Sequence, residues 1–226
     1  MARSIEEWAR ADRPRERLDE RGAEALSELE LLALVLGTGG RGESALDRAA
    51  AVLETFRGLK GAARASTREL LLVRGLGPAK AAAVAAAFEL GRRAFSPARE
   101  NGSVFRSSAD VFAHFRGRLG LLRKEVFCVL LLDAKHRKLR EVQVSEGTLT
   151  ASLVHPREVF APAIRESAAA ILLVHNHPSG DPTPSVEDVQ ITRRLREVGD
   201  LVGVRVLDHV IVGDGAHYSF ADGGSW

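Results

Sequence analysis

The chain has 226 residues, 45% of them hydrophobic and 27% charged, with a formal net charge of +2. Such a composition suits a globular protein of one large or two small domains and excludes fibrous and low-complexity classes. Charge gives no bulk argument for nucleic acid, because 17 basic and 15 acidic residues precede position 101 and 15 of each follow it. The opening MARSIEEWARADRPRERLDERG has no apolar core, so it reads as no signal peptide, and no apolar run reaches the roughly 18 residues of a membrane span. The single cysteine, Cys128 in VFCVLLLD, reads as a small buried apolar residue, and the whole suits a reducing cytoplasm.

Residues 1–95 read as all-helical, with alanine and leucine at helical spacing. ALSELELLALVLG (25–37) carries Ser27 as N-cap and Glu30 three residues on, the pattern of a capping box. TGGRGES (38–44) is a loop by its glycines, and SALDRAAAVLETF (44–56) is a second Ser-capped helix. TRELLLV (67–73) and PAKAAAVAAAFELGRRA (78–94) are two more, joined by a tight RGLG turn. Pro, Gly, Asn and Ser across 95–107 mark a linker, placed at 96–103, before a second domain at 104–226. There strands appear. EVFCVLLLD (125–133) is a continuous apolar run, fit for a fully buried strand, and KLREVQVSEG (138–147) alternates as its partner. PREVFAPAIRESA (156–168) is an amphipathic helix and AAILLVHNH (169–177) a second buried strand. SVEDVQITRRLREVG (185–199) is a helix capped by Ser185 and closed by Gly199, and VRVLDHVIVGD (204–214) is a strand pair or one bent strand. Strands mixed with helices in this way indicate a three-layered α/β sheet.

His175 and His177 end the second buried strand. In extended chain, residues i and i+2 share a face, so the two imidazoles project together. The loop that follows, rich in Pro and Gly, can fold back and bring Asp188, in the first turn of the next helix, to the same point. Two imidazoles and a carboxylate, with a fourth position for water, are the donor set of a catalytic zinc site. An HxH pair alone is a weak signal, since a histidine at a strand end is more often a partly exposed polar residue. Its place after a buried strand, and the Asp in a helix first turn, tip the balance.

Without a gap, HNHPSGDPTPSVED fits H-x-H, seven residues, S-x-x-D at His175, His177, Ser185 and Asp188. That is the signature of the JAMM (MPN-type) metallohydrolases. SEGTLTASLVHPREVF, LDHVIVGDGAHYSF and ALSELELLALVLGTGGRGESALD resemble the bacterial RadC (UPF0758) family, over nearly the whole chain. The resemblance implies a JAMM/MPN-like, cytidine-deaminase-like mixed sheet after a small all-α domain. It implies one zinc ion per chain on His175, His177 and Asp188, and hydrolysis of peptide or isopeptide bonds in a peptide or protein substrate. It further implies Ser185 as a donor to the developing oxyanion, beside its capping role, and an upstream glutamate as general base. Glu125, just ahead of the first buried strand, takes that place, with Glu146 and Glu158 as competitors; the plain reading of Glu125 is a solvated charge beside Lys124. His155 is placed to line the cleft, whereas His114, His136, His209 and His217 read as ordinary surface or core residues.

TRELLLVRGLGPAKAAAVAAAFELGRR resembles a helix-hairpin-helix. Gly75 and Gly77 permit the tight turn, and Pro78 suits the first helical position. Amides at that helix start, with Lys80 and Arg74, offer a phosphate contact that positions duplex or branched DNA without reading its sequence. A glycine turn between packed helices also occurs in many proteins that never touch DNA, and the near-neutral charge argues for that plainer role. Three readings follow. The first is a cytoplasmic zinc metallopeptidase or isopeptidase with a helical targeting module and no membrane partner. The second is a DNA-binding protein whose JAMM-like domain is a scaffold. The third is a nuclease acting on DNA held by the hairpin. The intact His, His, Ser and Asp set favours the first, and the lack of a second carboxylate-rich metal site weakens the third.

Overall fold

In the computed structural model, which describes residues 12–40, 42–95, 100–147 and 154–224, three serines start helices by one device. Ser27, Ser44 and Ser66 precede α2 (Glu28–Leu36), α3 (Ala45–Thr55) and α5 (Thr67–Leu70). Each hydroxyl accepts from the amide three residues on, and the Glu30, Asp47 or Glu69 carboxylate there accepts back from the serine amide at 2.7–2.9 Å. Each box satisfies amides that a helix start leaves unpaired. With α1 (Pro14–Arg21), α4 (Leu59–Ala63) and α6 (Pro78–Phe95) as far as Gly91, these helices belong to the first of two compact units, Met1–Gly91. Its core is aliphatic, built around Leu32, Leu36, Val52, Leu70, Val73 and Val84. The helix expected over 67–73 stops at Leu70. Tighter bonds from the Leu72 amide to the Glu69 carbonyl (3.0 Å) and from Val73 to Leu70 (3.1 Å) then wind the chain towards Gly75.

In the expected linker, residues 96–99 lie outside the described residues, and the part beyond them is anchored within the second unit, Arg92–Trp226. The Gly102 amide donates to the Lys138 carbonyl and the Lys138 amide to the Ser103 carbonyl, both at 2.8 Å. A further helix, α7 (Ser108–Leu119), begins at Ser107, whose side chain accepts from the Asp110 amide. The sequence pattern does not announce it. Its buried positions are Val111, His114, Phe115 and Leu119, and a histidine inside the stripe with Gly117 beside it makes the apolar periodicity faint.

β1 (Glu125–Leu132), β2 (Lys138–Gly147), β3 (Ala170–Asn176), β4 (Arg205–Val212) and β5 (His217–Ser219) form one sheet in the order β2-β1-β3-β4-β5. β3 and β4 run parallel and the other neighbours antiparallel. A parallel pair needs a crossover, which α9 (Val186–Val202) supplies. Alternation along β1 sorts the layers. Phe127, Val129 and Leu131 pack towards α8 (Pro156–Arg165) and α9, whereas Cys128, Leu130 and Leu132 pack towards α7. Helices on both faces explain why β1 and β3 read as unbroken apolar runs. The result is the three-layered mixed α/β sheet, and the late segment expected over 204–214 holds a single strand, β4, whose antiparallel partner β5 lies beyond it.

α9 does not close at Gly199. It runs on to Val202, and Gly203, with φ +74°, ends it. Gly199 is small because a Cβ there would lie 2.6 Å from the Val204 carbonyl oxygen. Among the described residues no helix is long and apolar enough to cross a membrane.

Candidate metal centre

Period two along β3 puts Ile171 and Leu173 on the α9 side of the sheet, and Leu172 and Val174 on the α7 side. His175 continues the first set. α9 starts at the same edge, where N-cap Ser185 and N3 residue Asp188 form a further capping box. Asp188 Oδ2 accepts from the Ser185 amide at 2.7 Å and from the Ser185 hydroxyl at 2.6 Å, while the Asp188 amide donates to Ser185 Oγ at 3.1 Å. The cap therefore holds the carboxylate by one oxygen. The other, Oδ1, faces His175 Nε2 at 3.1 Å.

His175 Nε2 lies 3.0 Å from His177 Nε2, which in turn is 3.3 Å from Asp188 Oδ2. His177 Nδ1 donates to the Asp181 carbonyl at 2.7 Å, which turns Nε2 towards the other two groups; with an ion bound and the ring neutral, that nitrogen would present its lone pair. Donors 2.0–2.1 Å from a tetrahedral ion stand about 3.3–3.4 Å apart. The two imidazole nitrogens lie 3.0 Å apart and face different oxygens of one carboxylate at 3.1 and 3.3 Å, close to that spacing, so the donor set fits a small divalent cation. Among the described residues this trio offers ligand atoms within 4.8 Å of one another.

Burial pushes His175 below its ordinary pKa, against the pull of Asp188. His177 is raised, chiefly by its hydrogen bond to Asp188. Burial alone would raise the Asp188 carboxyl, but hydrogen bonds from His175, His177 and Ser185 hold it well below the usual carboxylate range. Asp188 is thus an anion at neutral pH, ready to ligate.

The register of β1 and β3 pairs Phe127 with His175. Continued by two residues it brings Glu125 opposite His177, on the α9 side, and the Glu125 charge adds to the upward pull on both histidines. The other glutamates lie elsewhere. Glu146 pairs with Val126, which packs towards α7, so it faces away from the histidines, and it meets Lys124 Nζ at 3.2 Å. Glu158 is on the exposed side of α8. His155 caps α8, its Nδ1 accepting from the Arg157 amide at 3.1 Å.

Two residues without a role in the sequence pattern stand beside the centre. Asn176, between the two histidines, is buried and bonds the start of β1. His209 is a core residue, yet its Nε2 lies 2.8 Å from His175 Nδ1 and its Nδ1 2.6 Å from Thr192 Oγ1. The plain sequence reading of His209 as a core residue holds, and a histidine within the apolar run VLDHVIV is a sequence signal for a buried polar contact.

In the helical unit, Gly75, with φ +82°, and Gly77 make the turn before α6. Lys80 Nζ donates to the Thr38 carbonyl, with Thr38 Oγ1 at 3.3 Å. Glu43 stands behind the turn, where a Cβ on Gly75 would meet its Oε2 at 3.0 Å. The lysine thus ties α6 to the glycine loop, and the turn has an acidic neighbour.

A RadC-like JAB domain matches residues 105–225, and a UPF0758 N-terminal domain matches residues 5–82. The chain is 56% identical over 223 residues to a UPF0758 protein of Syntrophotalea carbinolica, covering 98% of each chain. It is 54% identical over 226 residues to one of Geotalea uraniireducens, covering 99% of each. A third, of Trichlorobacter lovleyi, is 55% identical over 224 residues, covering 98% of this chain and 97% of its own. These names carry no activity, while the JAB domain is a metal-dependent hydrolase scaffold of the JAMM type. With both regions matched in order and more than half the residues identical along the full length, the chain belongs to the RadC (UPF0758) family.

Proposed function

We propose that this protein is a zinc-dependent amide hydrolase that cleaves peptide or isopeptide bonds at the centre of His175, His177 and Asp188. The observation that supports this most is a convergence on one side of the sheet. Two imidazoles and an anionic carboxylate converge with nitrogens and oxygens 3.0–3.3 Å apart, and the register, continued by two residues, brings Glu125 opposite His177. When bound, zinc supplies Lewis acidity, which polarises a carbonyl and brings the pKa of water towards about 7. Glu125 accepts the proton of the attacking water and passes it to the leaving nitrogen. The hydroxyl ends on the carbonyl carbon and the hydrogen on the amine. Ser185 holds Asp188 in its ligating orientation through Oδ2. Phe127, stacked on His175 with ring centres 6.0 Å apart, keeps water from the sheet side. The helical unit would carry the enzyme to its substrate, with duplex or branched DNA as the partner its hairpin suggests.

Elemental analysis and a hydrolysis screen test this together. About one zinc per chain is expected in the parent and in Glu125→Gln, and almost none in His175→Ala or Asp188→Ala. Fluorogenic peptides and lysine-linked isopeptides should be cleaved by the parent and left intact by Glu125→Gln. Loss of zinc from Glu125→Gln would make that residue a ligand rather than a base. A parent that stays metal-free after zinc is supplied would end the reading.

A further inference from the structure

Every hydrogen behind His175 can be placed by elimination, granted the metal reading of its Nε2. A ligating Nε2 carries a lone pair, so the hydrogen of the neutral ring sits on Nδ1. Its neighbour at 2.8 Å is His209 Nε2, which must accept. The hydrogen of His209 is then on Nδ1, 2.6 Å from Thr192 Oγ1. Thr192 accepts there and donates its own hydrogen to the Asp188 backbone carbonyl at 2.5 Å. His175 gives one hydrogen, His209 and Thr192 each take one and give one, and the series ends on the main chain of a second ligand. His175 and His209 are fully buried, and Asp188 and Thr192 are 3% exposed or less, so water offers no substitute partner. The His209 ring is clamped by Phe220, stacked at 5.2 Å, and by the edge of Phe127 at 5.5 Å.

A plainer account takes His209 as a satisfied core histidine and Thr192 as the common helical hydroxyl that bonds back four residues. It explains each bond separately but not their shared direction. Reversing the His175–His209 bond would put a hydrogen on His175 Nε2, where the ligating lone pair belongs.

We propose that His209 is a positioning residue that fixes His175 in the Nδ1–H tautomer, with Thr192 fixing His209 in turn. Partners behind a ligating histidine are often carboxylates. A neutral imidazole orients the ligand without burying a second anion, which in this desolvated layer would be costly.

Zinc affinity by chelator competition on the full chain tests the relay, with melting of each metal-free protein measured alongside. Thr192→Val removes the acceptor for His209 Nδ1–H at nearly constant volume, and affinity should fall about tenfold to a hundredfold. Thr192→Ser should recover most of it. His209→Phe keeps the ring packing and should weaken zinc comparably, while His209→Gln, whose amide oxygen can accept, should recover part. Long-range 1H–15N spectra of the zinc-loaded parent should show both His175 and His209 protonated at Nδ1. Parental affinity in both Thr192→Val and His209→Phe, or a hydrogen on His209 Nε2, would overturn the relay and leave the metal centre standing. A parent without zinc affinity would instead remove the metal reading itself.

Discussion

The carboxamide of Asn176 brackets Glu125: Oδ1 accepts from the Val126 amide at 2.9 Å, and Nδ2 donates to the Lys124 carbonyl at 3.1 Å. The residue standing between two histidines of the centre thus grips the backbone on either side of the proposed base. Asn176→Leu strips both bonds and leaves two backbone groups without their partners, at a cost of about 1–3 kcal/mol each. Hydrolysis should fall further than zinc content, because pairing with β1 and β4 still orders β3. Initial rates divided by bound zinc measure the difference, and a parental quotient would mean that β1 alone holds Glu125.

Ser185 gives a second test. Ser185→Ala removes an N-cap worth about 1 kcal/mol and a donor to Asp188 Oδ2. Zinc affinity and rate should fall together, and Ser185→Thr should keep both. A drop in rate at parental affinity would assign the hydroxyl to the oxyanion, as the JAMM resemblance implies.

Glu141 on β2 meets His114 Nε2 at 3.0 Å and pairs with Arg118. Burial would raise its carboxyl, but those partners outweigh it and the net direction is down. A depressed carboxylate stabilises the fold above its unfolded pKa, and that stability is lost as pH falls through the folded value. Glu141→Gln should therefore cost about 1–3 kcal/mol at pH 7. The gap to the parent should narrow as pH falls below the ordinary glutamate value of 4.5. Urea melts at several pH values read this directly; a gap that stays constant with pH would show the effect to be packing.

The hairpin needs a variant that leaves the helical unit intact. Gly75→Asp demands φ +82° of a non-glycine residue and sets a carboxylate against Glu43, so its melting temperature should drop. A Cβ on Gly77 meets nothing within 4 Å, so Gly77→Asp should melt like the parent. Duplex affinity at low salt is then informative: a loss in Gly77→Asp identifies the turn as the contact, and no change assigns it to helix packing. Lys80→Met should lower the melting temperature, since it releases the Thr38 carbonyl.

The trio of the centre is legible in the sequence because each member depends on local geometry. Period two carries His175 and His177, and the third position after a serine cap carries Asp188. Choosing Glu125 over Glu146 turns on strand register, where a shift of one residue exchanges the faces of the sheet. His209 could not be placed because no local pattern shows that β4 comes to lie beside β3; the crossover through α9 decides it. Gly199 misleads for a related reason. A glycine near a helix end looks like a cap, whereas the close approach of Val204 that requires it is tertiary.

The carboxylate that caps α9 is also the one facing the histidines, so the helix start and the centre cannot loosen independently. Linkage of this kind is reciprocal. A cation held there would slow the fraying of the first turn, and fraying mutations would weaken the cation without touching a ligand. The loop before the cap is pinned as well, by the Asp214 amide on the Gly180 carbonyl at 2.7 Å. Amide exchange in the first turn of α9 therefore becomes a gauge of occupancy, one that can be read before any substrate is known.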